Sequence, residues 1–235
     1  MTKTTQRIIV AIDGFSSSGK STMARRLASQ VGYRYIDSGA MYRAVALYGL
    51  ENGIVNLDGT VDVPALTDAL PSIEIDFEPQ PDGSQHTMLN GVDVEDTTRQ
   101  LRVSNVVSPV SAIPAVRHDL VRKQQALGAD KGIVMDGRDI GTTVFPDAEL
   151  KIYLDATAQT RAQRRFTELI AKGSNVTFAE VLANVVRRDE IDRTRAESPL
   201  RRASDAIALD NSQMSLDEQD RWLLDRFNET LARLK

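Results

Sequence analysis

Residues 14–21, GFSSSGKS, follow a continuous apolar run, RIIVAID (7–13), and precede STMARRLASQVG (21–32), in which Met23, Leu27 and Val31 recur every four residues before Gly32. An apolar run without polar alternation reads as a strand buried on both faces, and the four-residue spacing reads as one face of a helix. Strand, glycine-rich loop and helix in that order leave few folds open. The spacing GxxxxGK[ST] suits a loop whose glycines let successive backbone N–H groups turn onto phosphate oxygens, with the helix N-terminus adding its dipole. Gly14, Phe15, Ser16, Ser17, Ser18, Gly19, Lys20, Ser21 and Thr22 are therefore candidate nucleotide-phosphate residues. Lys20 would place its charge between the β- and γ-phosphates, and the Ser21 hydroxyl would ligate magnesium.

YRYID (33–37) and SGAMYRAVALYGLENG (38–53) repeat the strand and the helix, so a parallel sheet with right-handed crossovers is expected. From about 60 to 104 the pattern changes, with IEIDFE and HTMLNGVDV alternating around the turn PQPDGSQ as a small antiparallel insertion. Helical spacing returns over 103–128, where Pro109 and Pro114 are expected to break the helix into pieces. GIVMDG, ELKIYLDA and DAIALD supply three more buried strands. The expected fold class is α/β, a three-layer core around a five-stranded parallel sheet.

A loop of this kind is shared by switches, motors, transporters and small-molecule kinases, so the rest of the chain must choose among them. The net charge of −4 carries no basic excess that would point to nucleic acid or an anionic membrane. With no cysteine and only His86 and His118, disulfides, zinc–thiolate sites and multi-histidine metal centres are excluded. The N-terminus has no apolar run long enough for a signal peptide or a spanning helix, so a cytoplasmic location is the default expectation.

Arginines recur beside acids in DSGAMYR (37–43), DGRDIG (136–141), RAQRR (161–165) and RRDEIDRTR (187–195). In an open α/β sheet the ligand crevice lies past the carboxyl ends of the strands, where Asp37 and Asp136 sit beside Arg43 and Arg138. Two phosphorylated ligands meeting there would need positive charge on every side. The plain alternative for any one arginine is a solvated helix face. For Arg188, Asp192 and Arg195, spaced four and three apart on one helix face, it is a ladder of salt bridges.

These segments together resemble the bacterial cytidylate kinases, through the phosphate loop, DSGAMYR, the insertion ending LNGVDV, DGRDIGTTVFPDA (136–148), RAQRR and RRDEIDRTRAESPL (187–200). The resemblance implies phosphoryl transfer from ATP to CMP or dCMP with magnesium. It implies a nucleotide-kinase core over 1–38, 105–156 and 174–235, a monophosphate-binding part with the inserted small sheet over 39–104, and a helical lid over 157–173. Carried over by position, Ser38, Tyr42, Arg43, Arg138 and Arg188 surround the acceptor's phosphate and sugar, with Asp192 and Arg195 nearby. Ser108, Arg117 and Asp139 match the positions that read the base. Arg161, Arg164 and Arg165 resemble the lid arginines, and LDNSQ (209–213) the segment beside the donor adenine. Lys20, Arg138, Arg161, Arg165 and Arg188 are the expected charge-neutralising residues of catalysis. Asp136 either orients magnesium through water or serves as a cap or structural ion pair. The loop departs from the family's usual run at Phe15 and its three serines, and Pro109 after Ser108 is also unusual. A monomer acting on small molecules, with no nucleic-acid or membrane partner, is expected. The rival readings are a kinase for UMP or another small phosphorylated acceptor, a nucleotide switch without an acceptor, and a nucleic-acid binder using the arginine clusters.

Overall fold

The first apolar run becomes β1 (Ile9–Gly14), with all six residues buried. In the computed structural model, which describes residues 6–80 and 85–234, it is followed by α1 (Lys20–Val31), β2 (Arg34–Asp37), α2 (Ser38–Glu51), α3 (Val63–Ala69), β3 (Ile75–Pro79), β4 (Gln85–Leu89) and β5 (Val92–Asp93). Then come α4 (Glu95–Thr98), α5 (Leu101–Ser111), α6 (Pro114–Leu127), β6 (Ile133–Gly137), β7 (Leu150–Asp155), α7 (Ala158–Ala171), α8 (Phe178–Thr194), β8 (Ile207–Asp210) and α9 (Leu216–Arg233). Two compact units divide the chain. One comprises Met1–Tyr35, Gly128–Thr194 and Ser198–Lys235, the other Ile36–Leu127 and Arg195–Glu197.

The first unit is built on a five-stranded sheet in the order β2-β6-β1-β7-β8. β1 pairs in parallel with β6, from Ile9 opposite Ile133 to Asp13 opposite Gly137, and also with β7; β7 pairs in parallel with β8. Met23 and Leu27 of α1 and Leu223 and Phe227 of α9 pack with Ile8, Val10, Ile12, Val134, Ile152 and Leu154 of the sheet region. Each such side chain withdrawn from water contributes about 1.5–3 kcal/mol. The Tyr33 and Phe227 rings meet edge to face at 5.4 Å. A separate apolar cluster, Ala162, Leu169, Val181 and Val185, with Phe166 and Phe178 edge to face at 6.1 Å, binds α7 to α8.

The second unit carries the three-stranded sheet β3-β4-β5, antiparallel in both pairings. Its buried residues include Met41, Leu47, Leu66, Ile73, Val103, Val106, Val110 and Leu120. Asp37 starts α2, its carboxylate accepting from the Ala40 N–H.

Two expectations are corrected and one is extended. Pro109 lies inside α5 rather than breaking it, because the buried face of Val103, Val106, Val107 and Val110 holds the helix across the one hydrogen bond that proline cannot donate. Two residues further on, the helix closes in tight turns, Ala112 N–H to Pro109 O and Ile113 N–H to Val110 O. The break comes at Pro114, which opens α6 with a ring already set to the helical φ. The 60–104 segment holds the expected small antiparallel sheet, and to it are added two helices that were not expected, α3 and α4, flanking that sheet. α8 stops at Thr194, so Arg195 falls beyond the helix that was expected to carry it. Of the turn PQPDGSQ, residues 81–84 lie outside the described residues.

Candidate functional site

The loop departs from β1 at Gly14, whose φ is +151° and where a Cβ would lie 2.3 Å from the carbonyl oxygen of Leu154 on the neighbouring strand. No larger residue fits. Gly19, at φ +96°, is the N-cap of α1. Between them the loop's carbonyls are held by donors from three segments. Lys20 Nζ donates to Phe15 O at 2.6 Å, Arg161 Nη1 to Ser16 O at 3.3 Å, Arg164 Nη1 to Ser18 O at 3.0 Å, and Asn211 Nδ2 to the same Ser18 O at 2.8 Å. A trans peptide carries its N–H opposite its C=O, so fixing these carbonyls also fixes the directions of the Ser16, Ser17 and Gly19 N–H groups.

Lys20 is buried, with 4% of its surface exposed. Burial, then the neighbouring Arg138 charge, push its ammonium pKa down to about 7 against the pull of Asp136 and Asp13. A cation held this dry is stabilised by any anion that arrives. Ser21 Oγ donates to Asp136 Oδ2 at 3.0 Å, and Tyr35 donates its hydroxyl to Asp136 Oδ1 at 2.8 Å. A hydroxyl and a carboxylate side by side are hard oxygen donors of the kind magnesium takes. Among the described residues no group of three or more His, Cys, Asp or Glu could hold a metal by itself.

Asp13, one residue before the loop, accepts from the Ile140 N–H at 2.8 Å and the Gly141 N–H at 2.7 Å. Burial pushes its carboxyl up to about 7, against these two hydrogen bonds. It thereby holds the turn after β6, which bears Arg138 and Asp139. Arg138 Nε donates to Asp192 Oδ2 at 2.7 Å. Arg161, 3% exposed, makes a two-pronged pair with Asp189, Nη1 to Oδ1 at 2.9 Å and Nη2 to Oδ2 at 2.5 Å, and gives its Nε–H to Ala156 O at 2.9 Å. Asp189 and Asp192, three apart on α8, thus anchor two arginines from different elements. Arg165 instead pairs across one turn with Glu168 at 2.9 Å. Arg188 is half-buried on α8.

In the second unit, Arg43 Nη2 donates to Asp37 Oδ2 at 2.9 Å. Burial acts to raise the Asp37 carboxyl, but the charges of Arg43 and Arg99 and its hydrogen bonds hold it below the usual carboxylate range. The Arg117 guanidinium lies 5.3 Å from the centre of the Tyr42 ring and donates from Nη1 to Ser111 O at 3.2 Å. Arg117 is 1% exposed. Ser38, Ser108 and Arg195 are buried in the same unit, and Ser108 gives its carbonyl to the Ser111 hydroxyl at 2.9 Å.

The family described as cytidylate kinase matches residues 10–228 of this chain. The chain belongs to the cytidylate kinase family. It is 57% identical over 227 residues to the cytidylate kinase of Bacteroides thetaiotaomicron, covering 96% of this chain and 99% of that protein. To the cytidylate kinase of Porphyromonas gingivalis it is 53% identical over 227 residues, 96% of this chain and 98% of that one. A solved structure of an uncharacterized protein from Eubacterium ventriosum resembles it in fold alone, with a TM-score of 0.50 and 11% identity over 95% of this chain and 99% of that one. Within this cytidylate kinase family member, sequence reasoning overlooked Asp13, Asp189 and Arg193. Asp13 could have been flagged as a carboxylate closing a wholly apolar strand, and Asp189 as the acid three residues from Asp192. Arg193 carried no signal beyond its charge; its guanidinium lies 4.7 Å from the centre of the Phe15 ring.

Proposed function

We propose that this chain transfers the γ-phosphoryl group of ATP to CMP or dCMP, giving ADP and CDP or dCDP. The observation that carries the reading is the loop between Gly14 and Ser21, with its carbonyls tied back and a dry Lys20 behind it, in a member of this family. The acceptor's phosphate oxygen is already an anion and attacks the γ-phosphorus without a protein nucleophile, so the protein's part is positioning and charge neutralisation. Lys20 follows the γ-phosphoryl group; Arg138 and Arg188 meet charge on the transferring oxygens. Ser21 and Asp136 would hold magnesium, which supplies charge neutralisation to the phosphates when bound.

We assign Ser38, Tyr42, Arg43 and Arg195 to the acceptor's phosphate and sugar, and Ser108, Arg117 and Asp139 to its base. We place a lid over 157–173, built on α7, with the core over 1–38, 105–156 and 174–235 and the monophosphate part over 39–104; α7 packs on α8 of that core through an apolar cluster of its own. The surface pair of Arg165 with Glu168, worth about 0–1 kcal/mol, can exchange for a phosphate contact. No helix among the described residues is long and apolar enough to cross a membrane; we propose a monomer working in the cytoplasm, for which a cysteine-free chain is suited.

A coupled ADP-release assay across CMP, dCMP, UMP and AMP tests the reaction. ADP release that ignores the acceptor would mark a switch, and preference for UMP would mark another kinase. Base choice has its own test. Cytosine offers a 4-amino donor and an N3 acceptor, which Asp139 and Arg117 complement, whereas uracil would set its carbonyl against the carboxylate. Forfeiting the hydrogen bond that the cytosine amino group would donate to the carboxylate costs about 1–3 kcal/mol, or roughly 5- to 150-fold against UMP. Asp139→Asn should lower the CMP to UMP ratio of kcat/KM, and an unchanged ratio rejects Asp139 as the base reader.

A further inference from the structure

The second residue of the phosphate loop contributes its backbone to the cradle, and for that a small side chain would suffice. Here it is Phe15, 5% exposed. Its ring is faced by two guanidiniums, Arg161 of α7 with Cζ 5.0 Å from the ring centre and Arg193 of α8 with Cζ at 4.7 Å. Both distances fall within the range in which an aromatic face attracts a cation. The same residue's carbonyl accepts the Lys20 ammonium at 2.6 Å, and Arg161 is tied to the next carbonyl, Ser16 O. Phe15 is therefore joined on its side-chain face to α7 and α8, and on its backbone face to the lysine of the loop.

We propose that Phe15 is a positioning residue for phosphoryl transfer: its ring fixes the Arg161 and Arg193 guanidiniums against the loop and so couples the α7–α8 pair to Lys20. This rests on the kinase reading above. Arg193 acquires a function in this arrangement that its exposed place on α8 does not suggest. A cavity of about 320 Å³, lined by Phe15, Arg161, Val186, Asp189 and Arg193 among others, lies beside the ring.

The test is a substitution series read by steady-state kinetics. Phe15→Leu keeps an apolar side chain and removes the ring, and should lower kcat about tenfold while KM for CMP changes less than about threefold. Phe15→Tyr and Phe15→Trp, which keep an aromatic face, should recover most of that loss. Equal rates for the leucine and aromatic variants, or a loss confined to KM, would overturn the proposal. A double-mutant cycle of Phe15→Leu with Arg193→Gln, read from unfolding midpoints as well as kcat, covers the case in which the leucine variant is too unstable to assay. Coupling between the two sites is expected in both readouts, and additive effects refute the ring–guanidinium contact. If the unsubstituted protein phosphorylates no acceptor, the kinase reading fails, while the midpoint cycle still reports whether the contact exists.

Discussion

Removing the Asp189 carboxylate isolates one charge in the interior of the first unit. Arg161 is 3% exposed, and the Asp189 side chain 11%. Asp189→Ala takes two charge-assisted hydrogen bonds from the guanidinium and leaves it the Ala156 and Ser16 carbonyls and the face of the Phe15 ring, none of which carries a compensating charge. Breaking a buried pair from one side costs about 3–5 kcal/mol, because the remaining charge stays desolvated. For a chain of this size each kcal/mol moves Tm by about 2–4 °C, so a fall of roughly 6–20 °C is expected in thermal unfolding followed by circular dichroism. Replacing both partners, Arg161→Met with Asp189→Leu, removes the stranded charge as well as its mate and should recover most of the lost stability. If Arg161 also neutralises the transferring phosphoryl group, this stable double variant should still turn over at least a hundredfold more slowly. A single-variant shift under about 2 °C, or a double variant no more stable than the single, would refute the reasoning about burial. Normal turnover in the double variant would leave Arg161 a structural residue.

Two further outcomes concern the groups with displaced pKa values. Burial holds the Lys20 ammonium well below its ordinary pKa, so binding the triphosphate should draw a proton onto it, with an uptake that grows as the pH is raised from 7 to 8. Calorimetry in buffers of different ionisation enthalpy reads this directly; Lys20→Met should abolish the uptake and most of the turnover, and retention of either would reject the role. Asp13 has a folded pKa raised to about 7 from 3.8, so the folded state binds the extra proton in between. Its stability contribution is complete below about pH 4 and is lost as pH rises through 7. Denaturant unfolding from pH 4 to 8 should therefore show wild type losing stability relative to Asp13→Asn as pH rises, and a constant difference would contradict the burial argument.

The parts of the molecule written in local pattern were legible. The β1 run, the loop glycines and the spacing in α1 each follow from chain-neighbour physics, and the parallel pairing of the later strands follows from their largely apolar runs, broken in β7 by Lys151. Pro109 was misjudged because its cost, one absent N–H and a clash with the carbonyl four residues back, is outweighed by the burial of Val103, Val106, Val107 and Val110, which local pattern does not state. α3 was hidden because VPALTDA is too short for a periodic stripe to show. Among candidate site residues, the placing of Lys20 and Ser21 at the start of α1 and of Asp136 at the end of β6 was readable from motif and strand end. The Asp13 bonds to Ile140 and Gly141, and the Asp189 grip on Arg161, join residues 127, 128 and 28 positions apart in sequence. They exist only once the elements have packed.

The donors that hold the loop's carbonyls have a consequence for the order in which competence arises. The loop and α1 form a contiguous stretch and could coil early, but Ser18 O is held by Arg164 of α7 and by Asn211 past β8, and Ser16 O by Arg161. Until those segments dock, the peptide planes are free to rotate and the N–H groups have no common direction. Affinity for a triphosphate is then expected to depend on the docking of α7 and of the segment after β8, and not on the motif alone. A molecule with an intact motif but an undocked α7 would lack the fixed peptide planes on which a triphosphate could rest.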